Sequence, residues 1–287
     1  MADPLRPRHF EVNRQLPGGE SITLRGDELG NGPPILLLHG LSGTRRNVVQ
    51  GSRHLARRGW RLIGYDARGH GDSDPAPDPS AYEYTDLGGD LEAVVAHFGL
   101  ERPVLAGSSM GAAAAMAWTL ENPERVAALV QIMPAYAGDR APGDEWERLA
   151  RALEEGGVEA FVEVAQPEDI PERWREVSRE ATRQRMERHR DLNAVAAALR
   201  VVPFSQPFED LDTLEHLEVP TLVVGTRDEA DGLHPLAVAQ EYDRRLPRSE
   251  LLVEDEGESP LAWQGARLSR AIGDFLERQG LGPRAQS

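Results

Sequence analysis

The chain has 287 residues, 40% of them hydrophobic, so it is long enough to bury one large α/β core or two smaller ones. It carries 48 Asp and Glu against 32 basic residues, all of them arginine, which gives a formal charge of −16. Phosphate backbones and anionic lipids repel so acidic a chain, which argues against nucleic-acid and membrane partners. Without cysteine, the chain can form neither a disulfide nor a thiolate site.

The chain also lacks sequence signals for membrane insertion or export. No apolar run approaches the roughly 18 residues that a membrane-spanning helix needs. The opening residues, MADPLRPRHF, lack the apolar stretch of a secretory signal peptide. These features predict a cytoplasmic protein.

Short β-branched or leucine-rich runs alternate with helical patterns along the chain, which is typical of a parallel sheet with crossover helices. Two runs near the start flank a P-G-G turn at 17–19 and predict an antiparallel hairpin. Further strands are predicted at 35–40, 61–69, 103–109, 126–134, 221–228 and 249–255, and helices at 45–58, 84–98 and 110–121. We therefore expect an α/β fold with an eight-stranded, mostly parallel sheet.

The segment 136–218 has a different character. It is rich in Arg and Glu, contains no convincing buried strand, and carries Trp146, Phe161 and Trp174 at helical spacings. An amphipathic helical insertion is expected here. Ligands of parallel sheets bind at the carboxyl ends of the strands, so an insertion above that edge makes a natural lid. We accordingly divide the chain into a core of residues 1–135 and 219–287 and a helical cap of residues 136–218.

Residues 107–111 read G-S-S-M-G, a G-x-S-x-G pattern centred on Ser109. A strand-like run precedes it and a small-residue helical run follows. In a nucleophile elbow, this sharp turn lifts the serine hydroxyl above the sheet, and the flanking glycines avoid crowding. Ser109 is therefore the predicted nucleophile or hydrogen-bond donor. The backbone N–H groups of Leu41 and Met110 are predicted to bind the developing oxyanion, and His39 is expected to hold its loop, with an auxiliary catalytic role as the alternative.

Five motifs resemble, in order, those of the α/β-hydrolase fold superfamily. They are H-G-L-S-G (39–43), Y-D-A-R-G-H-G-D-S-D (65–74), G-S-S-M-G (107–111), V-P-T-L-V-V-G-T-R-D (219–228) and the strand-turn-helix from 249 onward. The resemblance covers nearly the whole chain outside the cap and implies the α/β-hydrolase fold. It also implies a catalytic triad in the order serine, acid, histidine.

In that order Ser109 is the nucleophile and Asp228 the acid, with Asp231 as a weaker alternative. The third place should lie in a phrase resembling G-H-S-P, but the chain reads G-E-S-P at 257–260. Glu258 thus stands where histidine is expected, although its unperturbed pKa lies about two units lower. Beside Asp228 it would form an acid pair in which one partner holds a shared proton and titrates near neutral pH.

A histidine supplied from elsewhere is the other way to complete the triad. The best candidate is His234, in D-G-L-H-P, although a structural hydrogen bond at a helix start is the favoured interpretation of that residue. We expect a hydrolase acting on a small ester, lactone or related carbonyl compound through Ser109, Asp228 and Glu258, without a metal or organic cofactor. The missing histidine leaves two alternatives: a lyase or isomerase that uses the same pocket, and a binding protein without turnover.

Overall fold

The computed structural model describes residues 5–138, 143–166, 170–228, 231–258, 263 and 266–283. This part of the chain forms an eight-stranded sheet in the order β1-β2-β4-β3-β5-β6-β7-β8. The strands are Arg8–Gln15 (β1), Ser21–Leu29 (β2), Pro34–Leu38 (β3), Arg61–Tyr65 (β4), Val104–Ser108 (β5), Ala128–Ile132 (β6), Thr221–Val224 (β7) and Ser249–Leu252 (β8). The predicted α/β architecture with a mostly parallel sheet is confirmed.

The hairpin is antiparallel, with Arg8 opposite Glu28 and Gln15 opposite Ser21, and β2 also pairs antiparallel with β4. From β4 to β8 all neighbouring strands are parallel. Parallel strands present their carboxyl ends at one edge of the sheet. The loops that follow β3, β5 and β7 therefore leave the sheet at the same edge.

Helices cover both faces of the sheet. They are His54–Arg57 (α1), Tyr84–His97 (α2), Met110–Glu121 (α3), Asp144–Val164 (α4), Glu172–Met186 (α5), Leu192–Val201 (α6), Leu236–Arg245 (α7) and Ala266–Arg278 (α8), with 3₁₀ turns at Pro123–Arg125, Val202–Phe204 and Leu211–His216. Strand β3 shows the layering, since successive side chains of a strand point to opposite faces. Ile35 and Leu37 pack in one core cluster, and Leu36 and Leu38 pack in the other.

The helix predicted at 45–58 is wrong over most of its length, because only His54–Arg57 is helical. Gln50 and Gly51 have φ angles of 50° and 67°, which a right-handed helix does not accommodate. The Asn47 side chain also accepts a hydrogen bond from the Thr44 N–H at 2.8 Å. Such local side-chain bonds compete with helical ones.

Between β6 and β7 the described residues contain no strand, and α4, α5 and α6 occupy this stretch. These inserted helices pack around their own apolar cluster, which includes Leu153, Phe161 and Leu199. Leu41, from the loop after β3, packs against the same cluster. The inserted helices therefore lie over the carboxyl edge of the sheet. No described helix is both long and apolar enough to cross a bilayer.

Glu254, two residues after β8, ties together the ends of β7 and β8. It is buried, and its carboxylate accepts hydrogen bonds from the Thr226 hydroxyl at 2.9 Å, from the Arg227 N–H, and from the Trp263 indole N–H at 3.1 Å. A buried carboxylate is tolerated only when donors of this kind surround it. These hydrogen bonds therefore fix the position of the first residues of the loop after β7.

Replacing Glu254 with alanine should lower the free energy of unfolding by about 2–4 kcal/mol, because the Thr226 hydroxyl and the Arg227 N–H lose their acceptor at a buried site, while the Trp263 indole keeps the Gly225 carbonyl. Urea unfolding followed by circular dichroism measures the change. Glu256→Ala, an exposed carboxylate in the same turn, is the matched control and should stay within about 0.5 kcal/mol of wild type. Equal unfolding midpoints for the two variants would contradict the anchoring role.

Candidate active site

Ser109 lies at the turn between β5 and α3, with φ 51° and ψ −114°. Residues with a side chain rarely adopt this conformation, which costs on the order of 1–3 kcal/mol. A Cβ atom on Gly107 would lie 2.2 Å from the carbonyl oxygen of Gly111, and a Cβ on Gly111 would lie 2.2 Å from that of Leu38. Only glycine fits at either position. The strained turn expected of the G-x-S-x-G motif is present.

His234 is the hydrogen-bond partner of the serine. Its Nε2 lies 2.8 Å from Ser109 Oγ, and its Nδ1 lies 2.7 Å from Asp231 Oδ2. A carboxylate can only accept, so Nδ1 carries the proton and donates to Asp231, which leaves Nε2 to accept the serine O–H. A serine, an imidazole and a carboxylate linked in this way can move the proton of the hydroxyl.

A tight turn in the loop after β7 brings the acid and the imidazole together. One carboxylate oxygen of Asp231 accepts a hydrogen bond from the Leu233 N–H at 3.0 Å, which is an Asx turn. The other oxygen faces His234, which comes just before Pro235 and the start of α7. Sequence reasoning weighed both residues but did not pair them. The available signal was the D-G-L-H spacing, short enough for one turn to join the two side chains.

The surroundings of Asp231 favour its charged form. Burial raises the pKa of the Asp231 carboxyl, but the hydrogen bond and charge of His234, the Leu233 N–H and the charge of Arg185 outweigh burial and hold that pKa below its usual value. Asp231 is therefore ionised at neutral pH. An ionised carboxylate at this place fixes the imidazole tautomer and stabilises the imidazolium that proton transfer creates.

Glu258, predicted to take the place of the histidine, does not meet the serine. Its carboxylate is exposed, lies 2.7 Å from an Arg267 nitrogen and accepts the Asp255 N–H at 3.0 Å. The turn is closed by Gly257, at φ 84°, so Glu258 folds back toward Asp255 and the start of α8. Arg267 and the Asp255 N–H hold the pKa of Glu258 below its usual value. The predicted contact of Glu258 with Ser109 is wrong.

The predicted acid, Asp228, is likewise not the carboxylate bonded to the imidazole. Its N–H donates to the Thr226 hydroxyl at 3.1 Å, and its carbonyl accepts the Asp231 N–H at 3.2 Å. Asp228 thus shapes the start of the loop, and the carboxylate that His234 contacts belongs to Asp231. The residue weighed as the weaker alternative is the one that the geometry favours.

The loop after β3 passes directly beside the serine, since a Cβ on Gly40 would lie 3.2 Å from the Cβ of Ser109. Leu41 follows in this loop, and Met110 is the first residue of α3. Neither backbone N–H of this pair has an acceptor among the described residues. Unpaired N–H groups beside a serine can bind an oxyanion. The two predicted oxyanion donors therefore remain candidates.

Two buried histidines hold the loops around the serine. His39 donates from Nδ1 to the Gly40 carbonyl at 2.8 Å and accepts the Ala67 N–H on Nε2 at 2.9 Å, so neither ring nitrogen is available for an auxiliary role. His189, which follows α5, accepts the Gly71 N–H on Nδ1 and donates from Nε2 to the Ser42 carbonyl, both at 2.9 Å. Sequence reasoning did not identify His189, because no motif marks it.

Burial lowers the pKa of His189 to about 4, against about 6.5 in an unfolded chain. Between these values the unfolded state binds more protons, so stability should fall as the pH drops through this window. The loss from this one group is about 2 kcal/mol between pH 7 and pH 5. Urea unfolding at the two pH values measures it.

His189→Gln should reduce this pH dependence, while His216→Gln, at an exposed position, should preserve it. The dependence should not disappear in His189→Gln, because burial also lowers the pKa values of His39 and His70. An undiminished pH dependence in His189→Gln would show that this histidine is not held neutral by the fold.

Comparisons with known proteins identify the fold family of the chain. The family model described as the alpha/beta hydrolase fold matches residues 33–266. The AB hydrolase superfamily protein YisY of Bacillus subtilis (strain 168) is 26% identical over 81% of this chain and 87% of its own length. A thermophilic esterase from Thermogutta terrifontis, solved with malate bound, superposes with a TM-score of 0.75 at 26% identity, over 95% of this chain and 99% of the esterase. The enol-lactonase from Burkholderia xenovorans LB400 shares the fold, with a TM-score of 0.73 at 19% identity over 92% and 99% of the two chains.

Proposed function

The chain belongs to the α/β-hydrolase fold family and is a hydrolase, and we propose that it cleaves small carboxylic esters or lactones with Ser109 as the nucleophile. One observation carries this proposal: Ser109, His234 and Asp231 form a continuous hydrogen-bonded chain, with separations of 2.8 and 2.7 Å. The similarity to the Thermogutta terrifontis esterase supports an ester as the substrate.

The geometry supports an acyl-enzyme mechanism. His234 Nε2 takes the Ser109 proton as Oγ attacks the substrate carbonyl, and Asp231 stabilises the resulting imidazolium. The N–H groups of Leu41 and Met110 bind the oxyanion of the tetrahedral intermediate. The imidazolium then protonates the departing alkoxide, leaving Ser109 acylated. A water molecule, deprotonated by the same imidazole, attacks the acyl group and releases the acid.

The non-hydrolytic and binding alternatives both rested on a missing histidine. The hydrogen bond between His234 and Ser109 removes that motivation, because a base is in contact with the serine. The contact of Leu41 with the apolar cluster of α4–α6 supports the proposed cap of residues 136–218. We place a small-molecule substrate between these helices and Ser109.

The triad assignment predicts a specific pattern of variant activities on p-nitrophenyl acetate. Ser109→Ala and His234→Ala should each lower kcat by at least about 10³-fold, and Asp231→Asn by about 10²- to 10⁴-fold, because each breaks the hydrogen-bonded chain. Glu258→Gln is the matched control, since it removes the carboxylate that motif order places at this site. It should leave kcat within about twofold of wild type.

A fluorophosphonate probe tests the nucleophile directly. It should label the wild type and the Glu258→Gln variant at Ser109 and should fail to label Ser109→Ala. Loss of labelling and turnover in Glu258→Gln, with His234→Ala unaffected, would reverse the assignment of the base. Absence of Ser109 labelling in the wild type would argue against a serine hydrolase altogether.

A further inference from the structure

Arg185, in the last turn of α5, has an unusual environment for a cation. Its Nε is shielded from solvent and has no hydrogen-bond partner. One terminal nitrogen lies 3.5 Å from the Thr182 hydroxyl, at the long limit for a hydrogen bond. Among the described residues, no carboxylate forms an ion pair with Arg185. Its guanidinium therefore has most of its hydrogen-bonding capacity unused.

Two neighbouring arginines of α5 are paired with carboxylates. Arg183, two residues earlier on α5, bonds Glu159 and Glu180. Arg179 pairs with Glu163 at 2.9 Å. In a chain with 48 acidic residues, a surface arginine readily finds a carboxylate. Arg185 differs from these two arginines because its Nε is shielded from solvent and has no acceptor.

Arg185 directly precedes Met186, which packs in the apolar cluster that Leu41 joins, and lies one helical turn before His189, which bonds the Ser42 carbonyl. Its charge acts on Asp231, the acid bonded to His234, and on His189, which bonds the Ser42 carbonyl in the loop beside Ser109. Burial lowers the pKa of Arg185, and Asp231 partly opposes that effect. The charge of Arg185 therefore acts both on the acid of the triad and on the histidine that holds the loop beside Ser109.

Shielding the Nε donor of Arg185 from water without a hydrogen-bond acceptor is costly, because its desolvation is not compensated by a hydrogen bond. Asp231 offsets only part of this cost through its charge, since its carboxylate is hydrogen-bonded to His234 and the Leu233 N–H. The planar fork of N–H donors matches a carboxylate in two parallel hydrogen bonds. A bound carboxylate would satisfy the donors that the fold leaves open.

We propose that Arg185 binds a carboxylate of the substrate, so the preferred substrates are esters or lactones that carry a free acid group on the acyl side. This inference rests on the proposed serine-hydrolase function and names its substrate class. Arg185 is a specificity residue in this scheme: it holds the acid end of the acyl group, while Ser109 attacks the carbonyl at the other end.

Paired substrates test this inference: monoethyl succinate carries the acid group, and ethyl butyrate is a neutral ester with the same number of acyl carbons. Proton release in a pH-stat measures kcat/KM for each. Wild type should prefer monoethyl succinate, and Arg185→Gln should lower kcat/KM for it by about 10- to 100-fold, the range expected for a lost charged hydrogen bond. Ethyl butyrate should change by less than about threefold.

Two further variants separate recognition from general damage. Arg185→Lys keeps the charge and should retain part of the preference for monoethyl succinate. Arg188→Gln removes an exposed arginine three residues away and should leave both substrates unaffected. In wild type, succinate should inhibit ethyl butyrate hydrolysis competitively, a readout that does not depend on the variants folding.

The outcomes distinguish the two proposals. If wild type shows no preference for the acid substrate, or if Arg185→Gln slows both esters by the same factor, then Arg185 only supports Asp231 or the fold. Carboxylate recognition is then overturned, while Ser109-dependent turnover still supports the hydrolase. If neither ester is turned over and the fluorophosphonate probe does not label Ser109, the hydrolase proposal fails, and the substrate class fails with it.

Discussion

The hydrogen bond between Ser109 Oγ and His234 Nε2 joins residues 125 positions apart, and the site depends on it. The serine stands at the end of β5 and the histidine in the loop after β7, so the bond spans the carboxyl end of β6. The pairing of the parallel strands fixes the distance between the ends of β5 and β7. Only a loop of suitable length and shape after β7 can bring His234 to Ser109 across that distance. The strained turn at Ser109 and the buried Glu254 at the base of the β7 loop hold the two ends in place.

Asp231 and His234 are three residues apart in one turn. The motif order of the α/β-hydrolase family would instead place the acid and the histidine in the loops after two different strands. Their mutual position is set by local geometry, chiefly the Asx turn of Asp231, and not by the docking of the β8 loop. The β8 loop correspondingly uses its acids in other ways. Glu254 is buried in a structural network, and Glu258 pairs with Arg267 at the surface.

Most of the fold could be predicted from the sequence. The alternation of strand-like and helical runs, and the glycine spacing around Ser109, reflect constraints that act over a few residues. The site was only partly predictable. Motif order indicates which loop usually donates the histidine, but it does not show where Glu258 points once Gly257 turns the chain. Arg185 lies among several arginines of α5 with no distinguishing neighbour in sequence. Only tertiary docking shows which of them has a shielded Nε without an acceptor.

Through His189, the inserted helices help to hold the loop beside Ser109. Its two hydrogen bonds join the end of α5 to the Ser42 carbonyl and to the Gly71 N–H, in segments more than 100 residues earlier. Because the loop beside Ser109 takes part of its shape from these two bonds, activity depends on the docking of the inserted helices as well as on the sheet.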